Sequence, residues 1–257
     1  ISGLYPPGST IKTLTAISAL ENDVVSPKFS VKCKGFIDLH GERFHCWKKK
    51  GHGVTGMRKA IKHSCDVYFY EVARKLGIDR LAVTAKKFGL GEKVLENFRE
   101  EKAGVVPGTK WKIDKLGKNW YLGETLHSGI GQGYFLSTPL QLCLMTAQIA
   151  NGGFKIKPRI ILNEKQVGRN FFDFKLKNRS NDHDYNEKIR NLNLKPLFRN
   201  QENINFVKNA MFAASNEPGG TSYGSRHKDK KFMFAGKTGS SQIKRFTEAQ
   251  REAETKQ

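Results

Sequence analysis

Tyr5-Pro6-Pro7-Gly8-Ser9-Thr10-Ile11-Lys12 is a turn that runs straight into a stretch of helical spacing. Side chains at i and i+3 of a helix share a face, so this spacing predicts the Lys12 amine within reach of the Ser9 oxygen. A serine hydroxyl is a weak nucleophile until a neighbouring base takes its proton, and a desolvated lysine can be that base. Alone, the pattern is weak and reads more simply as a helix cap followed by a surface lysine. Working outward decides between the two.

Ser64-Cys65-Asp66 begins a second helical run, and Lys237-Thr238-Gly239 closes Lys231-Phe232-Met233-Phe234-Ala235-Gly236, which reads as a strand. Ser-x-x-Lys, Ser-Asp-Asn and Lys-Thr-Gly in that order mark the class A β-lactamases and the penicillin-binding proteins. Asp66 departs from the pattern, standing where an asparagine is expected. Around the motifs, the stretches from Tyr5 to Leu20, Ser64 to Gly77 and Ile130 to Gly153, together with the loop Gly219-Gly220-Thr221, resemble the class B penicillin-binding proteins. The likeness is greatest to their penicillin-binding protein 2 branch, and it covers most of the chain apart from roughly residues 163–203.

That resemblance implies an α+β fold of the penicillin-binding serine-transpeptidase type, a helical lobe against an antiparallel sheet with the active site between them. It implies a D,D-transpeptidase that cross-links peptidoglycan stem peptides ending in D-alanyl-D-alanine, serving cell elongation and shape, and acylated by β-lactams. Ser9 would be the nucleophile, Lys12 its base and Ser64 the relay to the leaving amine. Lys237 would set the electrostatic field, and it and Lys12 would depress each other's pKa. Thr238 and Ser240 would hold the substrate carboxylate, with Asp66 and Gly239 completing the substrate-binding set. The N–H groups of Ser9 and Ser240 would form the oxyanion hole. The family also implies a membrane anchor, a pedestal and a place at the periplasmic face of the inner membrane. Its partners there would be a SEDS-type glycosyltransferase and other elongation-complex proteins. The chain, 1–257, is accordingly expected to be a transpeptidase domain cut at both ends. A catalytically idle partner-binding module and a β-lactam sensor or hydrolase are the alternatives. For a class A hydrolase, the Glu-x-x-x-Asn spacing from Glu187 to Asn191 falls in a polar stretch unsuited to priming water.

The composition adds bounds. A chain of 257 residues with 38% hydrophobic content can bury one large core. No stretch approaches the ~20 apolar residues that span a bilayer. The net charge of +21 comes from basic residues spread along the whole chain, and no nucleic-acid motif accompanies it, so no nucleic-acid partner is expected. Residues 163–203, rich in Asn, Lys and Arg, read as an exposed basic insertion.

Helices are expected from Thr10 to Glu21 (amphipathic), Asp66 to Lys75, Asp79 (as cap) to Phe88, Thr138-Pro139 to Ile149, and Asn205 to Ser215. Residues 26–57 read as short strands, 91–123 as loop, and Phe154 to Leu162 as a strand. Cys33, Cys46, His52 and Cys65 have 12, 5 and 12 residues between them. Three thiolates and an imidazole make a closed tetrahedral zinc set, and some relatives carry zinc in this region. A Cys33–Cys46 disulfide, or His45 in place of His52, remain rival readings. No cofactor is expected for catalysis; the zinc would be structural. Cys143, between Leu142 and Leu144, reads as core.

Overall fold

The computed structural model describes residues 1–95, 98–158 and 195–241. Its centre is α1 (Lys12–Glu21), entered through a 3-10 turn, Gly8–Ile11. Every residue from Lys12 to Leu20 is buried. The helix is therefore not amphipathic as its spacing suggested, but enclosed on all sides, as expected of a helix through the middle of a core. Each of its large aliphatic side chains contributes about 1.5–3 kcal/mol by leaving water.

Around α1 pack α2 (Met57–His63), α3 (Asp66–Leu76), α4 (Ile78–Lys87) and the long C-terminal α8 (Gln201–Asn216). Gly77 ends α3 and caps α4. Asp79, expected as the cap, lies in the first turn of α4, where its carboxylate accepts from the N–H and hydroxyl of Thr109 at 2.9 and 2.8 Å. That contact anchors α5 (Thr109–Leu116), which lies inside the stretch read as loop; α6 (Leu122–Gly129) begins at the end of that stretch. Helix α7 (Pro139–Ala150) begins as its sequence predicts, with Thr138 and Gln141 forming a capping box and Pro139 in the first turn. Helix α8 starts four residues before its expected beginning, capped by the Asn200 side chain. Cys143 is exposed, a correction to its reading as core. The buried face of α7 is Gln141, Leu144, Met145, Gln148 and Ile149, and Cys143 projects from another side.

The strands between α1 and α2 form two nested antiparallel pairs. β1 (Ser30–Cys33) pairs with β4 (Gly53–Gly56), and inside them β2 (Phe36–Leu39) pairs with β3 (Glu42–His45). Nesting brings the end of β1, the end of β3 and the start of β4 to one place. Lys231–Gly236 is not a strand: Lys230–Phe232 is a 3-10 turn and the rest is extended without a ladder partner among the described residues. Asn216 Nδ2 donates to the Phe234 carbonyl at 2.8 Å and the Gly236 N–H donates to the Met211 carbonyl at 3.2 Å. The segment thus docks along α8. Of the expected strand from Phe154, the described part shows only a bridge to Pro196. Most of 163–203 lies outside the described residues, as do Glu187 and Asn191. Its end, 195–203, buries Leu197 and opens α8. No helix among the described residues is long and apolar enough to cross a membrane.

Candidate active site

The three motifs, far apart in sequence, meet at the start of α1. Gly8 has φ +58°, and a Cβ there would stand 2.3 Å from the Ser240 carbonyl oxygen and 3.2 Å from its nitrogen. A Cβ on Gly239 would stand 2.8 Å from Thr10 Cγ2. The Lys237–Ser240 backbone therefore lies directly against the turn that presents Ser9. Gly131 closes the other side: the Gly8 N–H donates to its carbonyl at 2.9 Å, and Gln132 Nε2 donates to the Ser240 carbonyl at 3.2 Å. Ser9 is half-buried, and its N–H lies in the first turn, where a helix offers no backbone acceptor.

Lys12 is completely buried, and its ammonium donates to the Ser64 carbonyl at 2.9 Å, to Ser64 Oγ at 3.2 Å and to Asp66 Oδ1 at 2.6 Å. All three of its donors are thus used, and none goes to Ser9. Among the described residues the Ser9 hydroxyl has no hydrogen-bond partner. Asp66, expected to face substrate, is taken by Lys12 and by the Trp47 N–H, which donates to Oδ2 at 2.8 Å. Lys237 donates to Ser64 Oγ at 2.8 Å and to the Thr238 carbonyl at 2.9 Å. Ser64 Oγ is therefore shared by both lysines. Burial, and then the nearby charge of Lys12, push the Lys237 amine down from 10.5 to about 7, against the opposing pull of Asp66.

Ser64 itself sits at φ +54°, a left-handed conformation unusual for a side-chain-bearing residue, at the C-terminus of α2. Trp47, which the sequence reading passed over, supports it. Its indole N–H is shared between the carbonyls of His63 and Ser64 at 3.0 and 3.1 Å. Its only signal in sequence was adjacency to Cys46.

Behind Ser64 the sequence-predicted metal set comes together. The donor atoms of Cys33, Cys46, His52 and Cys65 all lie within 4.8 Å of one another, and all four residues are buried. The cysteines are free, so the rival Cys33–Cys46 disulfide is not formed. His45 instead packs its ring on Phe36. His52 Nδ1 stands 3.7 Å from Cys33 Sγ and 3.5 Å from Cys46 Sγ. A tetrahedron with Zn–S of about 2.3 Å and Zn–N of about 2.0–2.1 Å has an S···N edge of about 3.6 Å. Burial and the charges of Lys48 and His63 push His52 down to about 4. It is thus a neutral imidazole with a lone pair to give. The Cys46 thiol is drawn down to about 6, first by the Cys65 thiol that donates to it, against burial and Asp66, which raise it. The residues fit zinc.

A helix-start serine, the buried Lys12, the half-buried Lys237 and a second serine shared between them, set between helices and a Lys-Thr-Gly segment, make the arrangement of the penicillin-recognising class. The chain matches the family described as the penicillin binding protein transpeptidase domain over residues 1–256. It belongs to that family. It is 40% identical over 163 residues to the peptidoglycan D,D-transpeptidase MrdA of Acinetobacter baumannii, covering 63% of this chain and 24% of that protein. Among solved structures, penicillin-binding protein 2 of Pseudomonas aeruginosa, in complex with WCK 5153, is similar with a TM-score of 0.76 and 32% identity over 95% of this chain and 51% of that one. Penicillin-binding protein 2 of Helicobacter pylori, in complex with MreC, is similar with a TM-score of 0.78 and 32% identity over 94% of this chain and 41% of that one. The expected transpeptidase fold and the likeness to the penicillin-binding protein 2 branch both hold. The chain spans about a quarter of the length of the curated relative it matches, 24%.

Proposed function

We propose that this chain is the catalytic domain of a peptidoglycan D,D-transpeptidase that works through an acyl-enzyme on Ser9. The observation that carries the reading is the single cleft in which Ser9, Lys12, Ser64 and Lys237 converge. Ser9 Oγ attacks the penultimate carbonyl of a D-alanyl-D-alanine stem peptide, and the Ser9 proton passes to Lys12. Lys12 can accept it only by giving up one it already holds. Ser64 Oγ, hydrogen-bonded to both lysines, is the path by which that proton reaches Lys237. The proton returns through Ser64 to the leaving D-alanine amine. The carbonyl oxygen, as it gains charge, sits between the N–H groups of Ser9 and Ser240, each worth about 3–4 kcal/mol where such donors have been removed. An amine of a second stem peptide then takes the acyl group. Thr238, Gly239 and Ser240 bind the terminal carboxylate, while Asp66 acts through Lys12 and not on substrate.

Zinc held by Cys33, Cys46, His52 and Cys65 would be structural. Cys65 joins Ser64 to Asp66, and Cys46 precedes Trp47, so the metal would lock the loop that presents Ser64. The setting is the outer face of the inner membrane, with a SEDS-type glycosyltransferase and elongation proteins of the MreC kind as partners of the full-length protein.

Incubation with a fluorescent penicillin should label the chain, with mass spectrometry placing the adduct on Ser9, and Ser9→Ala should abolish it. A folded chain that no β-lactam acylates would favour an idle partner-binding module. Rapid turnover of a chromogenic cephalosporin would favour a hydrolase.

The rate of acylation should follow the neutral form of Lys237. With its pKa at about 7, the rate should climb about tenfold per pH unit below 7 and level off above about 8. Stability has the same sign. The unfolded chain holds this proton up to 10.5 and the folded chain only to about 7, so the burial penalty is present below pH 7 and is relieved between 7 and 10.5. A pH–rate profile flat from 5.5 to 8.5 would remove Lys237 from the proton path.

A further inference from the structure

We infer that Thr221, in the Gly219-Gly220-Thr221 loop, is the residue that positions the Thr238 hydroxyl for the substrate carboxylate; this deepens the transpeptidase reading and rests on it. Thr238 Oγ1 donates to Thr221 Oγ1 at 3.0 Å, and Lys237 Nζ reaches Thr238 Oγ1 from the other side at 3.5 Å. With no ligand bound, Thr221 therefore holds the one hydrogen that Thr238 would have to offer a carboxylate. On binding, that hydrogen turns to the carboxylate oxygen. The Thr221 hydroxyl, whose own hydrogen is then free to turn back, donates to Thr238 Oγ1. A hydroxyl both donates and accepts, so the pair can reverse direction without either oxygen losing its partner.

The loop is held firmly enough for this. The Thr221 N–H donates to the Lys62 carbonyl at 3.1 Å, two residues before Ser64. His63 Nδ1 donates to the Gly219 carbonyl at 2.8 Å. A Cβ on Gly220 would stand 2.3 Å from the Ala214 carbonyl, so the loop lies flush on the end of α8. Glu217, at that end, is bound by Arg58 and by Lys62, the latter at 3.1 Å. The same short segment of α2 thus carries Ser64 toward Lys12 and Lys237 and holds Thr221 against Thr238. Thr221 touches neither the nucleophile nor the reacting carbonyl; it acts through Thr238.

The test is stopped-flow acylation of the chain by a penicillin and by its methyl ester, which lacks the carboxylate charge. Thr221→Val should weaken non-covalent binding of the acid about fivefold, the scale of a hydrogen bond between two neutral hydroxyls, and leave the acylation step itself within about twofold. The ester should bind the variant and the parent alike. Thr221→Ser should restore the parent values, and Thr221→Ala, which has no branched methyls to place, should repeat the Val result. Equal losses on acid and ester would reveal a merely structural role and overturn the inference alone, as would a Ser variant that fails to recover. A parent chain that is not acylated by the acid would overturn the transpeptidase reading and this inference with it.

Discussion

Lys12→Met should abolish acylation, by at least about a thousandfold, and should also cost the fold about 3–5 kcal/mol. Methionine fills much the same volume and keeps the packing near Phe69, whose ring centroid lies 5.8 Å from Lys12 Nζ. What is lost is charge. The Lys12 side chain is 0% exposed and that of Asp66 11%. Removing one partner leaves the carboxylate, among the described residues, with the Trp47 N–H as its remaining hydrogen-bond donor. For a chain of this size the loss corresponds to a fall in melting temperature of about 10 °C. Catalysis and stability can be separated because they depend on different atoms. In Lys12→Met/Asp66→Asn no buried charge remains unpaired, so most of the stability should return while acylation stays absent. Thermal denaturation of the parent, both single variants and the double variant, beside penicillin labelling of each, is the measurement. If the double variant were as unstable as Lys12→Met, the cost would be one of packing. If Lys12→Met were acylated at near the parent rate, the proton path through Lys12 would be wrong.

The gathering of Ser9, Lys12, Ser64 and Lys237 was legible because each motif carries its own local instruction: a turn before a helix, a serine at a helix junction, a Lys-Thr-Gly run. The internal wiring was not. One helical turn puts Lys12 on the same side as Ser9, but whether its amine faces that hydroxyl or the acceptors on the α2–α3 junction is a tertiary matter. Asp66 settled it, a residue the sequence placed in the substrate-binding set as a departure from asparagine. The misread helices share a cause. Helix α5 has a single buried residue, Lys112, whose ammonium pairs with Glu124 at 2.5 Å and lies within 5.8 Å of the centroids of the Trp120 and Tyr134 rings. No apolar periodicity can signal a helix buried through a lysine. Helix α6 opens at Leu122 and Gly123, the last two residues of the stretch read as loop. A Cβ on Gly129 would stand 2.3 Å from Ala73 Cβ, so glycine there is what lets α6 approach α3. The extended segment before Lys237 is a short apolar run of the kind strands show, but a strand exists only with a partner. Phe232, Met233 and Phe234 are accordingly exposed at 58%, 40% and 42%. The metal set was legible in kind and not in reason: nothing in a 12, 5, 12 spacing announces that two nested hairpins will superimpose their ends.

Stripping the zinc proposed for the cysteine cluster should produce the largest change in stability available without touching the catalytic groups. Binding free energies of structural zinc run to about 10–16 kcal/mol where ligand residues are otherwise unfolded. Here the cluster is preformed within a packed core, so only a part of that falls on folding; a third would be about 4 kcal/mol and about 10 °C in melting temperature. Thiol counting makes the claim specific. Of the four cysteines only Cys143 is exposed, so the zinc-loaded chain should present one reactive thiol and the chelated chain four. A disulfide between Cys33 and Cys46 would leave two unreactive after chelation, until a reductant was added. Cys46→Ser should weaken zinc binding and reproduce the instability, because it removes a donor the structure already draws toward thiolate. Acylation should fall in step. Ser64 occupies a left-handed backbone conformation, which costs about 1–3 kcal/mol wherever the surroundings do not enforce it. Those surroundings are Cys65 on one side and, through the Trp47 indole, Cys46 on the other. Loss of the metal frees both, the serine relaxes, and Ser64 Oγ no longer bridges Lys12 and Lys237. Restored zinc should recover labelling of Ser9 together with the melting temperature. A chelated chain that keeps its full acylation rate would show that the cluster stabilises the lobe without holding the relay in place.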